Sequence, residues 1–462
     1  MATKTRQVAE EPLALALARR ICGLRVEDVG ERALRHAKTC LIDAVGVTLA
    51  GVHEDAVRIL MRTPGVAGAA GPCLLVGTRQ RTSALDAALV NGTASHVLDY
   101  DDFSSVFGGH HTVPLMAALF AVAEERGLSG RALLLAYVAG VETEIRLARA
   151  VHFHHYDKGW HPTSTLGVFG AAAAVSRLIG LDAGCTATAL AIAASHASGL
   201  KANFGTMTKP LHAGQCGRHG LLAALLAEGG FEANLEALEH EQGFLNAFNG
   251  PGRYQVAPLR EAWTPPFAIE GDHIAIKQYP CCGSTHAAIV AMLELASRES
   301  ILPEQVTAIE VLLHERRLRH TDNPMPATPA EAKFSVQYVT VRALLSGGVR
   351  RAHFEDGAHA QPAVRELLAR TRARPFPDMA DDAPQQWGAE VRVQLRDGRR
   401  LEHGVDRLVG AVAELRDEDL WEKFADCASR GLPAARARAI FERLRRLEDV
   451  PDFREVARLL EL

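Results

Sequence analysis

The 462-residue sequence contains no Gly-Lys dipeptide, which removes the phosphate-binding loop that nucleotide hydrolases carry between a strand and a helix. It has no H-E-x-x-H, no G-x-S-x-G and no glycine-rich dinucleotide fingerprint after a strand, so zincin chemistry and the common serine hydrolase layout are set aside. Nothing in it approaches the ~18 uninterrupted apolar residues that a spanning helix needs. The apolar stretch at 13–18 is too short for a signal-peptide core. Eight cysteines are scattered without a C-x-x-C pair, and read as reduced thiols, mostly small core residues. There is no basic excess either: a formal net charge of −4 offers no concentrated face for a nucleic-acid backbone. The expectation is a soluble cytoplasmic protein with no nucleic-acid and no membrane partner, which must hold any anionic ligand with locally placed cations.

What is present is helical periodicity. Leu34, Ala37, Leu41, Val45 and Leu49 recur at three- and four-residue spacing, one buried stripe. Ser129 is placed to cap a helix running through Leu133, Val138, Val141 and Ile145. Residues 170–174 and 186–197 are rich in Ala and Gly, which predicts helices packed closely on several sides. The character changes after Pro265-Pro266. Residues 306–313 are short and apolar-rich. Ala389, Val391, Val393 and Leu395 alternate with Glu390, Arg392, Gln394 and Arg396, a half-buried strand, and Asp397-Gly398 is a hairpin turn. Helices are expected over 285–297 and 334–345. From about Val405 the helical pattern returns in Leu420, Phe424, Cys427, Ile440, Leu444 and Leu447. The prediction is a mainly α protein: a discontinuous helical domain from 1–264 and 404–462, with a smaller α+β domain, 265–403, inserted between its parts.

Four polar clusters interrupt the apolar helices. The first holds Asn91, His96, Asp99, Asp101 and Asp102, followed by His110 and His111. Three acids and neighbouring histidines suit a metal site, an acid/base site or simply a capped helix end with solvated side chains. The second holds His152, His154, His155 and His161. It suggests metal by composition but lacks an accompanying Cys or close acid pair. The third, Thr208-Lys209-Pro210-Leu211-His212, places a lysine against proline ahead of an Ala-rich helix. This fits an anion holder, although a lone lysine is more commonly a surface residue. The fourth runs from Lys277 to His286 through Cys282, Gly283 and Ser284, a small-residue turn opening a helix whose free N–H groups suit a carboxylate. Adjacent Cys281 and Cys282 hardly chelate one zinc together.

Taken together, these clusters resemble the MmgE/PrpD family, which includes 2-methylcitrate dehydratase, cis-aconitate decarboxylase and iminodisuccinate epimerase. The resemblance spreads over nearly the whole chain. It rests on Leu41, Asp43 and Gly46; on Asn91, His96, Asp99 and Asp102; on His161, Pro162 and Ser164; on Thr208 to His212; and on Lys277, Tyr279 and Pro280. Lys333, Phe334, Ser335 and Tyr338, and the tail from Leu420 to Phe424, also fit. The stretch from Arg319 to Asn323 departs from members that carry a tyrosine near that point.

The resemblance implies a large all-helical domain built from both chain ends, a smaller α+β lid, and a homodimer. It also implies a site in the cleft between domains with neither metal nor organic cofactor. Carried over residue by residue, it makes Asp99, His110, His161, Lys209 and Lys277 catalytic, with Lys209, His212, Lys277, Cys282, Gly283 and Ser284 around a small polycarboxylate substrate. The common chemistry is a carbanion beside a carboxylate. Ammonium groups must stand ready for the charge that moves onto the carboxylate oxygens. Lys209 and Lys277 are expected there, His110 and His161 in proton transfer, and Asp99 orienting one of them or acting as base. The leading expectation is dehydration of a 2-methylcitrate-like hydroxy acid, with epimerisation or decarboxylation of a related acid as alternatives. A silent carboxylate-binding protein and a metal-dependent hydrolase remain as readings of other classes.

Overall fold

The apolar stripes close into helices at the places where their periodicity puts them. A computed structural model describes residues 10–355, 357–380, 383 and 385–462. The first nine positions of the expected segment 1–264 therefore lie outside the described residues. The stripe from Leu34 to Leu49 is the inner face of the helix Glu31–Gly51. Ser129 does cap the helix Gly130–Asp157, its hydroxyl accepting from the Ala132 amide at 3.3 Å. The two Ala-rich runs lie in the helices Gly167–Leu178 and Ala183–His196. The protein is mainly α, with a small mixed sheet.

Small residues set how closely the helices approach. Gly92, on the helix Ala84–His96, faces Gly214, on the helix Thr208–Glu228; a Cβ at Gly92 would stand 2.8 Å from the Gly214 Cα. A Cβ at Gly214 would meet the Leu89 carbonyl oxygen, a backbone atom that cannot swing aside. This crossing brings Lys209, in the first turn of one helix, beside Asp99, three residues past the end of the other. Gly214→Ala is therefore expected to destabilise the fold by about 1–3 kcal/mol, because relief requires a backbone shift. Urea unfolding measures it, and an unchanged midpoint would show that the crossing tolerates separation.

Among the described residues two large apolar cores result, with a small third cluster of Val47, Ala50, Leu98, Tyr100 and Cys427. The first joins residues from Leu13 to Ile276 with Leu420, Phe424, Phe441 and Phe453 from the far end of the chain. The second runs from Cys281 to Leu395. Phe267, Ile269, Ile274 and Ile276 pack in the first core, so the chain passes between cores just after Ile276 rather than at the proline pair.

In the second core the strand Val306–Leu313 runs parallel to Thr371–Pro375 and antiparallel to Ala389–Leu395, which pairs antiparallel with Arg400–Val405. Val391, Val393 and Leu395 point inward while Glu390, Arg392 and Gln394 are more exposed, as the alternation requires. The hairpin turns on Gly398, whose φ of +90° suits glycine. The helices His286–Glu299 and Val336–Ser346 pack against each other, the first also against the strands Ala389–Leu395 and Arg400–Val405.

Candidate active site

The loop between the helices Ala84–His96 and Thr112–Arg126 carries the acids of the first cluster, and one backbone angle sorts them. Asp99 has φ +53°, a left-handed conformation that costs a non-glycine residue roughly 1–3 kcal/mol and is held only where its surroundings impose it. The three neighbouring carboxylates consequently face three different partners. Lys209 ion-pairs with Asp99 Oδ1. Lys277 lies 3.1 Å from Asp99 Oδ2 and also donates to the Asp99 carbonyl at 2.8 Å. Asp101 accepts from His96 Nδ1 at 2.9 Å and stands 2.8 Å from His110 Nδ1. Asp102 accepts from the Thr112 hydroxyl, which in turn meets the Tyr137 hydroxyl at 2.6 Å.

Asp99, Lys209, Lys277, His110 and His161 line one cavity, whose empty space including its mouth is about 590 Å³. The chain segment of the second core adds Cys282, Gly283 and Ser284, then Arg317, His320, Phe334 and Trp387 to the lining. His212 does not line it. It stands behind His161, the two Nδ1 atoms 3.1 Å apart, so one ring donates and the other accepts. His110 faces the cavity while His111 is buried behind, 3.7 Å from Asp102. At Gly283 a Cβ would stand 2.8 Å from the Phe103 ring, so any larger residue there requires that ring to shift. The second histidine cluster divides. His161 reaches the cavity, whereas His155 bonds Asn249 and Thr165 as a structural pair, at 3.1 and 2.7 Å.

Sequence reasoning left Asp101 without a role, and missed Arg317, Trp387 and the aromatic side chains Phe103, Phe153, Tyr156 and Phe204 that complete the wall. Asp101 had a signal, since a carboxylate five residues from His96 on one loop can orient an imidazole. Arg317 and Trp387 had none, being single residues in segments without a motif. Lys333 is a further, half-buried cation nearby, donating to the Leu98 carbonyl at 3.0 Å.

Burial would lift the Asp99 carboxyl, but Lys209 and Lys277 outweigh it and hold Asp99 well below the usual carboxylate range. Asp101 is likewise lifted by burial and brought well below by His110 and His96. Asp102 lacks such partners, and burial pushes it up to about 7. Burial opposes the charged form of Lys277, yet Asp99 and Asp101 raise it. Burial lowers His110, with Asp101 opposing the shift, and drives His161 well down with help from Lys209. Both imidazoles are thus neutral at pH 7. With Nδ1 of His110 turned to Asp101, its Nε2 lone pair is left on the cavity side, 3.6 Å from Asp99.

Among the described residues, two groups have donors close enough to hold a cation: His96, Asp99, Asp101 and His110; and Cys40, Asp102 and His111. In the first, two lysine ammoniums already occupy Asp99, and their charge opposes a metal ion.

These neutral histidines predict an acid sensitivity. Burial lowers His96 and His212 to about 4 and His111, His286 and His320 to about 3. In the unfolded chain each takes up a proton near 6.5. Depressed folded values mean that their contribution to stability is complete above pH 6.5 and lost as the pH falls toward 4. Each group in that window contributes a slope of at most ~1.4 kcal/mol per pH unit. The melting temperature is expected to drop between pH 7 and 5, and a flat profile across that range would contradict the neutral assignments.

The MmgE/PrpD N-terminal domain model matches residues 15–257 and the MmgE/PrpD C-terminal domain model matches residues 279–449. The chain belongs to the MmgE/PrpD family. Among MmgE/PrpD relatives, human cis-aconitate decarboxylase is 30% identical over 456 residues, covering 96% of this chain and 94% of that protein. The mouse cis-aconitate decarboxylase is 30% identical over 454 residues, with 96% and 92% covered. That of Aspergillus terreus is 26% identical over 488 residues, covering 99% and 98%.

Proposed function

We propose that this MmgE/PrpD protein is a cofactor-independent lyase that decarboxylates a cis-aconitate-like tricarboxylic acid. The observation that carries the reading is the pair of buried lysines on Asp99, in one cavity with two neutral histidines. Each ammonium has three N–H donors and commits only part of them to Asp99, so both can also hold a substrate carboxylate. The bond from a CH2 carbon to its carboxylate breaks, CO2 leaves, and the electron pair shifts through the adjacent double bond to the carbon beside a remaining carboxylate. There it is delocalised onto oxygens facing ammonium groups. A proton relayed from solvent by His161, or picked up at the His110 Nε2 lone pair and passed on, forms the new C–H bond, giving an unsaturated dicarboxylic acid.

The lysines supply the electrostatic stabilisation, so the reaction calls for no metal or organic cofactor. The α+β segment from just after Ile276 to residue 403 acts as a lid over the helical body that the rest of the chain builds. Walls drawn from both cores support this, and closure excludes water from the carbanion.

Dehydration of a 2-methylcitrate-like hydroxy acid is the second reading, with the same lysines and the same base. It needs an acid strong enough to protonate a departing hydroxyl, and the cavity histidines are held neutral. A neutral N–H suffices for a carbanion, which is far more basic. The relatives' activity points the same way.

Incubation with a panel of di- and tricarboxylic acids in D2O, followed by NMR, tests the choice. The expected result is CO2 release from cis-aconitate with one solvent deuterium in the alkene product, persisting in EDTA. Water loss or epimerisation without CO2 would replace the reading by one of its alternatives. Saturable binding without turnover or exchange would replace it by a silent binding protein.

A further inference from the structure

The lysine pair alone is a modest site for an acid carrying three negative charges. Lys209 and Lys277 share Asp99, so the three groups together contribute one net positive charge. A second cation faces the same cavity from the other core. Arg317 lies in the helical turn Glu315–Leu318 that follows the strand Val306–Leu313. Its side chain is buried, with only 5% of the residue exposed. The guanidinium stacks on Trp387, its central carbon 3.6 Å from the ring centroid, and donates to Gln386 Oε1 at 3.0 Å. Among the described residues, no carboxylate ion-pairs with it, and its buried Nε has no hydrogen-bond partner.

A buried guanidinium is costly unless an anion compensates it. A ring face and one neutral amide hold it in place without cancelling its charge. Burial brings it down to about 10, so it stays protonated at neutral pH. Its planar fork is the geometry that takes a carboxylate in two parallel hydrogen bonds. On the same wall Ser284 and His320 sit 3.2 Å apart, adding hydroxyl and imidazole groups without charge.

We propose that Arg317, braced by Trp387 and Gln386, is a carboxylate subsite in the same cavity as Lys209 and Lys277, and that it selects tricarboxylic over dicarboxylic acids. This rests on the reading of the cavity as a polycarboxylate site and assigns one further subsite in it. Lys209 and Lys277 hold two carboxylates between them, where charge develops, and the third is held at Arg317, which contributes binding and orientation.

Calorimetric titration of the full chain with unreactive acids tests it. Tricarballylate carries three carboxylates; glutarate and methylsuccinate each lack one of them. Arg317→Met is expected to weaken tricarballylate by about 10- to 100-fold, the loss of a charge-assisted bidentate contact, while the better-bound dicarboxylate changes less than threefold. Arg317→Lys, which keeps the charge but not the fork, should fall between. Retained dicarboxylate binding shows that the variants are folded. Equal weakening of all three acids, or of none, overturns the assignment, as does wild-type protein that binds no tricarballylate. Tight wild-type binding, lost selectively in Arg317→Met, combined with no turnover of any tricarboxylate, would sink the decarboxylase reading and leave the subsite standing.

Discussion

Lys277→Met is expected to lower kcat/KM for the tricarboxylate by roughly a thousandfold, the upper end of what one preorganised donor supplies. Lys277 is 1% exposed and holds both the carbonyl and the carboxylate of Asp99. In the proposed reaction its loss removes an ammonium from the place where the carbanion's charge collects. It also leaves Asp99 with Lys209 as its remaining lysine partner, and a buried charge stripped of a partner costs about 3–5 kcal/mol. The variant should therefore melt earlier as well as work poorly, and rates must be referred to folded protein. Wild-type kcat/KM in well-folded Lys277→Met would remove the lysine from the mechanism.

Asp101→Asn is expected to lower kcat by about 10²- to 10⁴-fold at nearly constant KM, as when the orienting carboxylate of a catalytic histidine becomes an amide. The substitution keeps size and shape, but an amide can present a donor where His110 Nδ1–H requires an acceptor. The imidazole is then free to turn its N–H toward the cavity. Asp101 also opposes the burial that lowers His110, so its loss moves the acidic limb of the rate profile to lower pH while the plateau falls. A structural role would change stability and leave that limb in place. Rapid-quench rates across pH 4–8 decide between them.

The helices were legible because burying one face demands the three-to-four spacing seen from Leu34 to Leu49. The strand Ala389–Leu395 was legible for the corresponding reason. Its sheet was less so. The parallel edge strand Thr371–Pro375 buries only its first residue fully, and half a pattern is no pattern. At the site, motifs identified the loop from Asp99 to Asp102, yet three neighbouring aspartates read alike on paper. The left-handed turn at Asp99 sends them to lysines, to imidazoles and to a threonine. That angle follows from packing between distant segments. Arg317 and Trp387 were illegible because they meet across seventy residues and only folding makes them neighbours.

The helix Asp417–Ala428 reaches the same loop from far along the chain. Lys423 pairs with Asp43 and donates to the Tyr100 carbonyl, both at 2.6 Å, between Asp99 and Asp101. During synthesis, then, the loop that emerges first has to wait for one of its last struts. A ribosome-bound chain that has not yet released residue 423 holds every proposed acid, base and lysine but lacks the brace on their central loop. Activity should switch on late in translation, once the helix Asp417–Ala428 has packed against the loop.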